Sequence, residues 1–452
     1  MSVRIRSILL GTLLLLPAAA LAQDAHYSTM QYGPRASLLG GAVIGSVDDV
    51  SGTYYNPGAL VLASDLAFSF STNVFEVQNF RLEDTSGEGI DLGSSRSGIR
   101  PSLIAGTIKR GLFGGKALLA YSALTRMRGS QDLEGQFVLG PGELPDTVGI
   151  RDLTGQAVFE GRYSDTWGGI TYSHLLGSSV GIGVSWYGGI RSQNRRITTS
   201  TSAVFSDTAG GNAFESVSGR LTTFRMLLKF GAFAEAGPLT VGATFTTPSA
   251  QIFGSGERSS SISYNTPDSL FVASDSQTEI DATYKSPMSI GVGLGWQIGK
   301  GVLHASAEYF DEISPYRVLD VEPFQAIQPD DVTITPNPVH SAKDVLNWAI
   351  GGEYEFSATL KAYASFFTDN SALVDDLDQS ALSVVPVDIS TLTAGVKFNV
   401  GSALFTVGGG YGWGSVVDDQ LTGLLPDQKG DLEAKYVYTS FRILFGFEIG
   451  VN

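Results

Sequence analysis

The fold of this 452-residue chain is decided by its last segment, which reads YVYTSFRILFGFEIGVN at positions 436–452. Apolar side chains recur at every second position from Val437 to Val451. The positions between them are mostly polar residues or glycine, with Leu444 as the exception. Such alternation is typical of a β-strand with one apolar face and one wet face. We therefore predict a strand here that separates two different environments.

The same alternation recurs upstream, at 181–186, 290–296, 347–356 and 394–400. Many runs reach ten residues, whereas ordinary strands average about 5–6 and a strand crossing a bilayer at a tilt needs about 9–11. Aromatic residues lie near the ends of the runs, as they do at the interfaces of membrane barrels. The pattern predicts an all-β fold, a transmembrane antiparallel β-barrel. A soluble β-protein, which would also alternate, is the alternative.

Fourteen such segments can be counted between residues 65 and 451, and an even number closes a single-chain barrel. Short glycine-containing links such as 111–114 and 237–238 are expected as periplasmic turns. The longer links are expected as extracellular loops, at 129–156, 198–219, 254–277, 314–343 and 416–434.

Composition narrows the function. The net charge is −16 and cysteine is absent. An acidic chain is a poor partner for nucleic acid, and without cysteine there are no disulfides, thiolate metal centres or thiol nucleophiles. We expect no metal, no cofactor and no enzymatic activity. The nearest catalytic arrangement pairs His174 with Ser185 on the next strand, and His304 is expected to make a hydrogen bond inside the lumen.

The amino terminus carries two segments that do not alternate. Arg4 and Arg6 precede an apolar run that ends in Ala20-Leu21-Ala22, which predicts a signal peptide over 1–22 with cleavage near Ala22. The next stretch, 23–62, is rich in small residues and contains the turn signal Asn56-Pro57-Gly58. It is either a plug inside the barrel or only a turn leading into the first strand. We expect a signal peptide at 1–22, a hatch at 23–62 with short helices, and a barrel at 63–452.

The run from Gly40 to Leu60, with Asp48-Asp49-Val50-Ser51 ahead of Asn56-Pro57-Gly58, resembles the amino-terminal signature of the FadL family, which includes the TodX proteins. Tyr284-Lys285-Ser286-Pro287-Met288 is similar to a weaker pattern in that family. The family pattern has Asn-Pro-Ala at the turn, whereas this chain has glycine at position 58 and alanine at 59. The chain also ends on Asn452 and not on an aromatic residue.

The resemblance implies an outer-membrane channel that takes up long-chain fatty acids or other hydrophobic compounds by passive diffusion, through an apolar pocket and a lateral wall opening. Asn56, Pro57 and Gly58 would contact the gate, against an inward bend of a strand among the first three, at 98–109 or 115–128. Residues 23–32 would respond to ligand. Ligand capture is assigned, by location in predicted loops, to Phe137, Leu139, Leu144, Phe324, Ile327 and Ile334, whose alternative role is to pack loops on one another.

The expected partners are a hydrophobic small molecule, the lipid of a Gram-negative outer membrane and the barrel-assembly machinery, with the chain itself a monomer. Two other functions stay open. One is a barrel of this type that carries a surface protein or serves a secretion system. The other is a general solute porin, although the inward positions are mainly glycine, serine and threonine and not ladders of charge.

Overall fold

A computed structural model of the chain describes residues 25–63, 66–83, 92–139, 150–206, 209–267, 269–374, 387–418 and 434–450. The signal peptide predicted at 1–22 lies outside the described residues. No helix in the described part is both long enough and apolar enough to span a bilayer.

The described strands, in chain order, are β1 Leu66–Glu83, β2 Leu92–Gly111, β3 Ala117–Leu139, β4 Asp152–Leu176, β5 Val180–Ser206, β6 Ala209–Ala236, β7 Leu239–Thr246, β8 Ala250–Thr266, β9 Ser269–Asp281, β10 Ser289–Ile298, β11 Gly301–Phe310, β12 Ile313–Arg317, β13 Phe324–Gln325, β14 Thr333–Ile334, β15 Val339–Ala342, β16 Val345–Ser357, β17 Leu360–Asp369, β18 Ile389–Val400, β19 Ala403–Asp418 and β20 Ala434–Gly450. The helices are α1 Pro34–Leu38, α2 Gly52–Tyr55, a 3-10 turn Ala59–Val61, and α3 Leu112–Gly115, a single turn between β2 and β3.

Fourteen antiparallel strands close into a barrel. Their order around the ring is β1 to β7, then β10, β11 and β16 to β20, and β20 pairs back onto β1. β7 and β8 are the lower and upper parts of one wall strand that is interrupted at 247–249, and β9 and β10 are parts of another that is interrupted at 282–288. The fourteen-stranded transmembrane barrel predicted from the sequence is confirmed.

The outer surface of the barrel is apolar. Large outward side chains such as Ile170, Trp186, Val292 and Trp348 stay exposed, while the inward neighbours Thr171 and Ser185 are fully buried. Exposed apolar side chains on strand after strand form the kind of band that contact with hydrocarbon requires. The alternation in the sequence therefore separates lipid from the barrel interior.

The prediction of loops is wrong for three segments. Most of the described residues in 129–156, 198–219 and 254–277 belong to strands. β4, β5 and β6 are 25, 27 and 28 residues long, far beyond what a bilayer needs. Segments such as Thr198–Ser202 contain β-branched residues that favour strands. These segments carry polar residues on both faces, so they show no alternation of apolar and polar residues. Polar residues on both faces suit a sheet that continues into water.

Residues 25–62, the described part of the predicted hatch, fill the lumen. Almost all of these residues are buried, and α1 and α2 contribute Leu38 and Tyr54 to the main apolar cluster. Leu444 of β20 belongs to the same cluster. Its apolar side chain on the wet face, the one exception in the alternation, is explained by its contact with the hatch.

Candidate functional site

The Asn56-Pro57-Gly58 turn is attached to the wall of the barrel. Asn56 is fully buried, and its Nδ2 donates to the carbonyl of Ile44 at 2.9 Å and to that of Ala232, in β6, at 3.0 Å. Its Oδ1 accepts from the backbone N–H of Gly58 at 3.0 Å. One side chain therefore shapes the turn, ties it to the rest of the hatch and binds it to a strand.

The turn approaches the wall so closely that glycine is needed on both sides. A Cβ placed on Gly58 would lie 2.7 Å from the carbonyl oxygens of Gly181 and Gly231. A Cβ on Gly181 would lie 2.1 Å from the oxygen of Gly58. The glycine that departs from the Asn-Pro-Ala pattern is thus matched to glycines of β5 and β6. The turn was expected to lie against residues 98–109 or 115–128, but it lies against β5 to β7. The reason is that the glycines that allow close backbone contact are in those later strands.

The wall itself is interrupted among the first three strands. β2 pairs with β3 only from Leu103 to Arg110, and the upper half of β2 pairs with β1 alone. A register irregularity between Thr125 and Met127 of β3 places Arg126 outside the ladder between β3 and β4. The two strands therefore separate above Leu103.

The hatch supplies a hydrogen bond at this irregularity, from a residue that sequence reasoning did not single out. The hydroxyl of Tyr32 donates to the carbonyl of Arg126 across 3.1 Å, and the backbone N–H of Tyr32 donates to the hydroxyl of Tyr55 at 3.1 Å. Burial raises the pKa of Tyr32 above its usual value, so the phenol stays protonated and able to donate. Tyr32 of the hatch therefore supplies a hydrogen-bond partner to the broken ladder.

A cavity of about 620 Å³ lies where β2 and β3 separate. Glu76, Gln78, Arg96 and Arg100 line one side of it. Glu76 of β1 lies opposite Arg442 in the strand register between β1 and β20, and both residues are buried. This side of the cavity is therefore the lumen face of β1 and β2.

The other side of the cavity is the outer face of β3 and β4. Met127 and Asp165 are paired and line a cavity in the lumen. The next residues along, Arg128 and Ser164, therefore point outward, and they line the wall cavity. β3 must then pass inside the line of β1 and β2, which is an inward bend of the third strand.

Above the hatch the lumen holds two small cavities, of about 50 Å³ and 30 Å³. Both are lined by Tyr27, Tyr54 and Glu308. One water molecule needs a cavity volume of about 10–15 Å³. Each of these two cavities therefore has room for a few waters and not for a hydrocarbon chain.

Basic groups meet in the smaller luminal cavity. The Lys229 amine lies 3.5 Å from Glu308 and 4.7 Å from the ring centre of Tyr54. Arg126 lies with its guanidinium 5.8 Å from the ring centre of Trp167. Behind this cavity Arg225 is ion-paired with Asp165. These residues come from α2, β3, β4, β6 and β11, so no local motif in the sequence could have joined them.

The start of the described chain is held by one carboxylate at the end of β17. Asp369 Oδ1 accepts the backbone N–H groups of Tyr27 at 3.1 Å and Ser28 at 2.8 Å, and Oδ2 accepts the Thr29 hydroxyl at 2.5 Å. His26 Nδ1 lies 3.4 Å from the same oxygen. The segment predicted to respond to ligand is therefore anchored by Asp369. Further bonds join it to the wall at Ala372, Asn347 and Arg442.

A second attachment holds the other side of the hatch. Arg35 Nε lies 2.8 Å from Glu353 and its Nη1 lies 3.3 Å from Asp48. Burial alone would lower the pKa of Arg35, but the carboxylates of Asp48 and Glu353 outweigh it and raise the pKa. His304 Nδ1 lies 2.8 Å from the Ser46 hydroxyl, which confirms the hydrogen bond predicted for His304 in the lumen.

The structure brings together only part of the predicted capture set. Phe324 and Ile334 face each other in a small hairpin and pack against the β8–β9 hairpin, whereas Ile327 is 62% exposed. Phe137 and Leu139 belong to β3 and not to a loop, and they pair with Gly155 and Leu153 of β4. Leu144 lies outside the described residues. Ligand capture by this set stays a prediction.

The catalytic alternative has no geometry to support it. Ser185 faces the hatch and donates to the carbonyl of Thr53 at 2.6 Å. His174 lies on the opposite face of the sheet from Ser173, which is fully buried, and bonds to Tyr172 at 3.0 Å. Among the described residues no three His, Asp or Glu side chains are grouped so as to hold a metal ion.

A closed barrel with its amino-terminal segment folded inside and a break in its wall defines the class of plugged membrane β-barrels. Comparison with solved structures narrows that fold class. The toluene transporter TodX of P. putida superposes with a TM-score of 0.62 at 13% identity, over 93% of this chain and 99% of TodX. The CymD monoaromatic hydrocarbon channel gives 0.57 at 10% identity, over 93% and 97%. A Pseudomonas aeruginosa FadL homologue gives 0.57 at 11% identity, over 95% and 100%.

The chain therefore has the fold of the FadL and TodX outer-membrane channels. No family model and no curated protein matches its sequence.

Proposed function

We propose that this protein is a channel in the outer membrane of a Gram-negative bacterium and takes up hydrophobic compounds such as long-chain fatty acids. The observation that carries the proposal is the break between β2 and β3, beside a hatch that fills the lumen. The similar structures include a toluene transporter and a monoaromatic hydrocarbon channel. Transport is passive, with no cofactor.

A break in the wall suits such a ligand for a physical reason. Each CH₂ group released into water costs about 0.8 kcal/mol, so a long acyl chain that leaves the lumen downward would be stranded. An exit through the wall lets the chain pass directly into the bilayer. Breaking the ladder also exposes backbone groups that lipid cannot satisfy, and the hydrogen bond from Tyr32 to Arg126 meets part of that need.

Two luminal cations are the partners we propose for an acid, although the carboxylates of Asp165 and Glu308 line the same cavity. Arg126 and Lys229 lie in the same small cavity beside the aromatic rings of Tyr54 and Trp167. An acyl chain against the rings would place its carboxylate near these two cations. Because the luminal cavities are small, the amino-terminal segment must move for the ligand to enter.

Two alternatives have less support. A general solute porin needs an open, hydrated lumen, whereas residues 25–62 occupy this one. No described surface favours a protein cargo over a small molecule. We therefore propose a monomer whose further partners are outer-membrane lipid and, during biogenesis, the barrel-assembly machinery.

The test replaces Asn56 and Pro57 by alanine together. Loss of the hydrogen bonds to Ile44 and Ala232 should loosen the hatch and lower the uptake of labelled oleate by cells, with folding and surface binding of oleate preserved. The matched control is Asn399→Ala, an amide at a periplasmic turn that lies away from the hatch. Oleate uptake equal to wild type in the double variant, at equal protein level, would remove the role proposed for the Asn56 turn, which is to hold the hatch in place. A wild-type chain that does not increase oleate uptake over cells without it would remove the proposed function.

A further inference from the structure

The wall cavity between β2 and β3 is polar, which is unexpected on the path of a hydrocarbon. Among the described residues, its only large apolar or aromatic lining side chains are Ile99 and Tyr163. The remaining lining residues are charged, hydroxyl-bearing, amide or glycine, and they are Glu76, Gln78, Arg96, Ser97, Gly98, Arg100, Thr125, Arg128, Gly129, Ser130, Asp132, Arg162, Ser164, Thr166, Ser192 and Asn194. Four arginines face two carboxylates, so the cavity carries an excess of positive charge.

The arginines differ in how far they are already used. Arg100 is held by Glu76, with Nε 3.5 Å from the carboxylate, and its Nη2 donates to Gln78 at 2.9 Å. Arg96 has a buried Nε that donates to none of the residues the structure describes. Arg128 and Arg162 are exposed, and the described residues offer them neither an ion pair nor a side-chain hydrogen bond.

The register of β3 and β4 places the two exposed arginines side by side. Arg128 lies opposite Ser164, and Ser130 lies opposite Arg162, so the arginines are diagonal neighbours on one face. Diagonal neighbours on antiparallel strands are about 7–8 Å apart, within reach of long side chains. Two guanidinium groups at this spacing can both donate to one carboxylate, a geometry that arginine suits better than lysine.

We propose that this cavity binds the carboxylate of a single-chain acyl acid, with Arg128 and Arg162 as its specificity-determining donors. The inference rests on the proposed function and refines it: the wall opening selects acids over neutral hydrocarbons. The lumen carries Arg126 and Lys229 for the same headgroup, so an acid would pass from one pair of cations to the next. A neutral hydrocarbon would gain nothing from either pair and would have to displace water from Arg96 and Arg128.

A single thiol in the cavity reports its occupancy, because the chain has no cysteine of its own. Ser130→Cys lies between the two arginines, and the full-length protein carrying it is placed in phosphatidylcholine nanodiscs. The rate of reaction with a polar maleimide is then measured against increasing oleate or oleyl alcohol. We expect oleate to protect the thiol at about tenfold lower concentration than the alcohol, as one or two hydrogen bonds to a charged group would produce.

Arg128→Gln with Arg162→Gln should abolish that difference, while Arg128→Lys with Arg162→Lys should retain part of it. Arg220→Gln is the matched control, since Arg220 is an exposed arginine of β6 that pairs with Glu257 outside this cavity. Heat-modifiable migration on a gel confirms that each barrel is folded.

Equal protection by oleate and oleyl alcohol in the parent, or unchanged oleate protection in the glutamine variant, would overturn the inference. Protection of the thiol by lipid A, added to the nanodiscs in place of oleate, would also overturn the inference. The cavity would then bind the phosphate group of a membrane lipid. These outcomes leave oleate uptake by wild-type cells untouched, so failure of the inference and failure of the proposed function can be told apart.

Discussion

At the scale of single residues, the contact between hatch and wall depends on the side chain of Asn56 and on the absence of a side chain at Gly58. Asn56 makes three hydrogen bonds with one side chain. The backbone of Gly58 approaches the backbones of Gly181 and Gly231 so closely that no Cβ fits between them. An alanine at position 58 keeps the conformation that glycine has there, yet its methyl group would collide with two carbonyl oxygens. Space, and not backbone freedom, is what this glycine provides.

Gly58→Ala should therefore lower the free energy of unfolding by about 1–3 kcal/mol, as overpacking of a filled site does. The measurement is urea unfolding of the refolded protein in detergent. Gly168→Ala in β4 is the control, because a Cβ at Gly168 has nothing within 4 Å. A Gly58→Ala protein as stable as the Gly168→Ala protein would contradict the close approach.

At the scale of elements, β3 is the strand that departs from a regular barrel. Its lower part pairs with both β2 and β4, and its upper part, after the irregularity at Arg126, pairs with β4 alone. Tyr32 of the hatch meets β3 at that irregularity. The bend of this strand and the position of the hatch are therefore coupled at Arg126.

If ligand leaves between β2 and β3, linking the two strands across the cavity should block uptake. Ser97→Cys with Ser130→Cys, joined by a flexible bismaleimide, should lower oleate uptake at least severalfold. The control pair is Ile104→Cys with Ala123→Cys, which are register partners in the paired part of the same two strands. Oleate uptake that survives complete cross-linking of the first pair would place the exit elsewhere.

At the scale of the whole molecule, the amino-terminal hatch occupies the lumen of the barrel. The hatch fills the lower lumen, and the cavities above it hold about 50 Å³ and 30 Å³. The amino-terminal segment borders both cavities through Tyr27 and is tied down by Asp369. Under the proposed function, entry of a long ligand displaces this segment and breaks its bonds to Asp369, along with those to Asn347 and Arg442.

Oleate should then increase hydrogen exchange at the backbone amides of Tyr27 and Ser28, both of which donate to Asp369. Asp369→Asn should increase that exchange without oleate, because hydrogen bonds to a charged acceptor are worth about 1.5–3 kcal/mol and the amide is a weaker acceptor. Asp388→Asn is the control, since Asp388 accepts from Ser371 and not from the hatch. Exchange that falls, or stays constant, as oleate saturates the protein would show that the segment does not move.

Local patterns in the sequence predicted the barrel, its fourteen strands and the turn at Asn56, and left open whether residues 23–62 form a plug or only a turn. Alternation at every second residue reports directly which face meets lipid, and a turn signal is contained within three residues. Upper strands such as Thr198–Ser202 escaped notice since their polar residues face water on both sides. Tertiary structure alone decided that Asn56 bonds to Ala232, that Tyr32 meets Arg126, and that Arg128 and Arg162 share a cavity. These pairs meet only when the ring closes in one register, and a bend in one strand then decides which faces oppose each other.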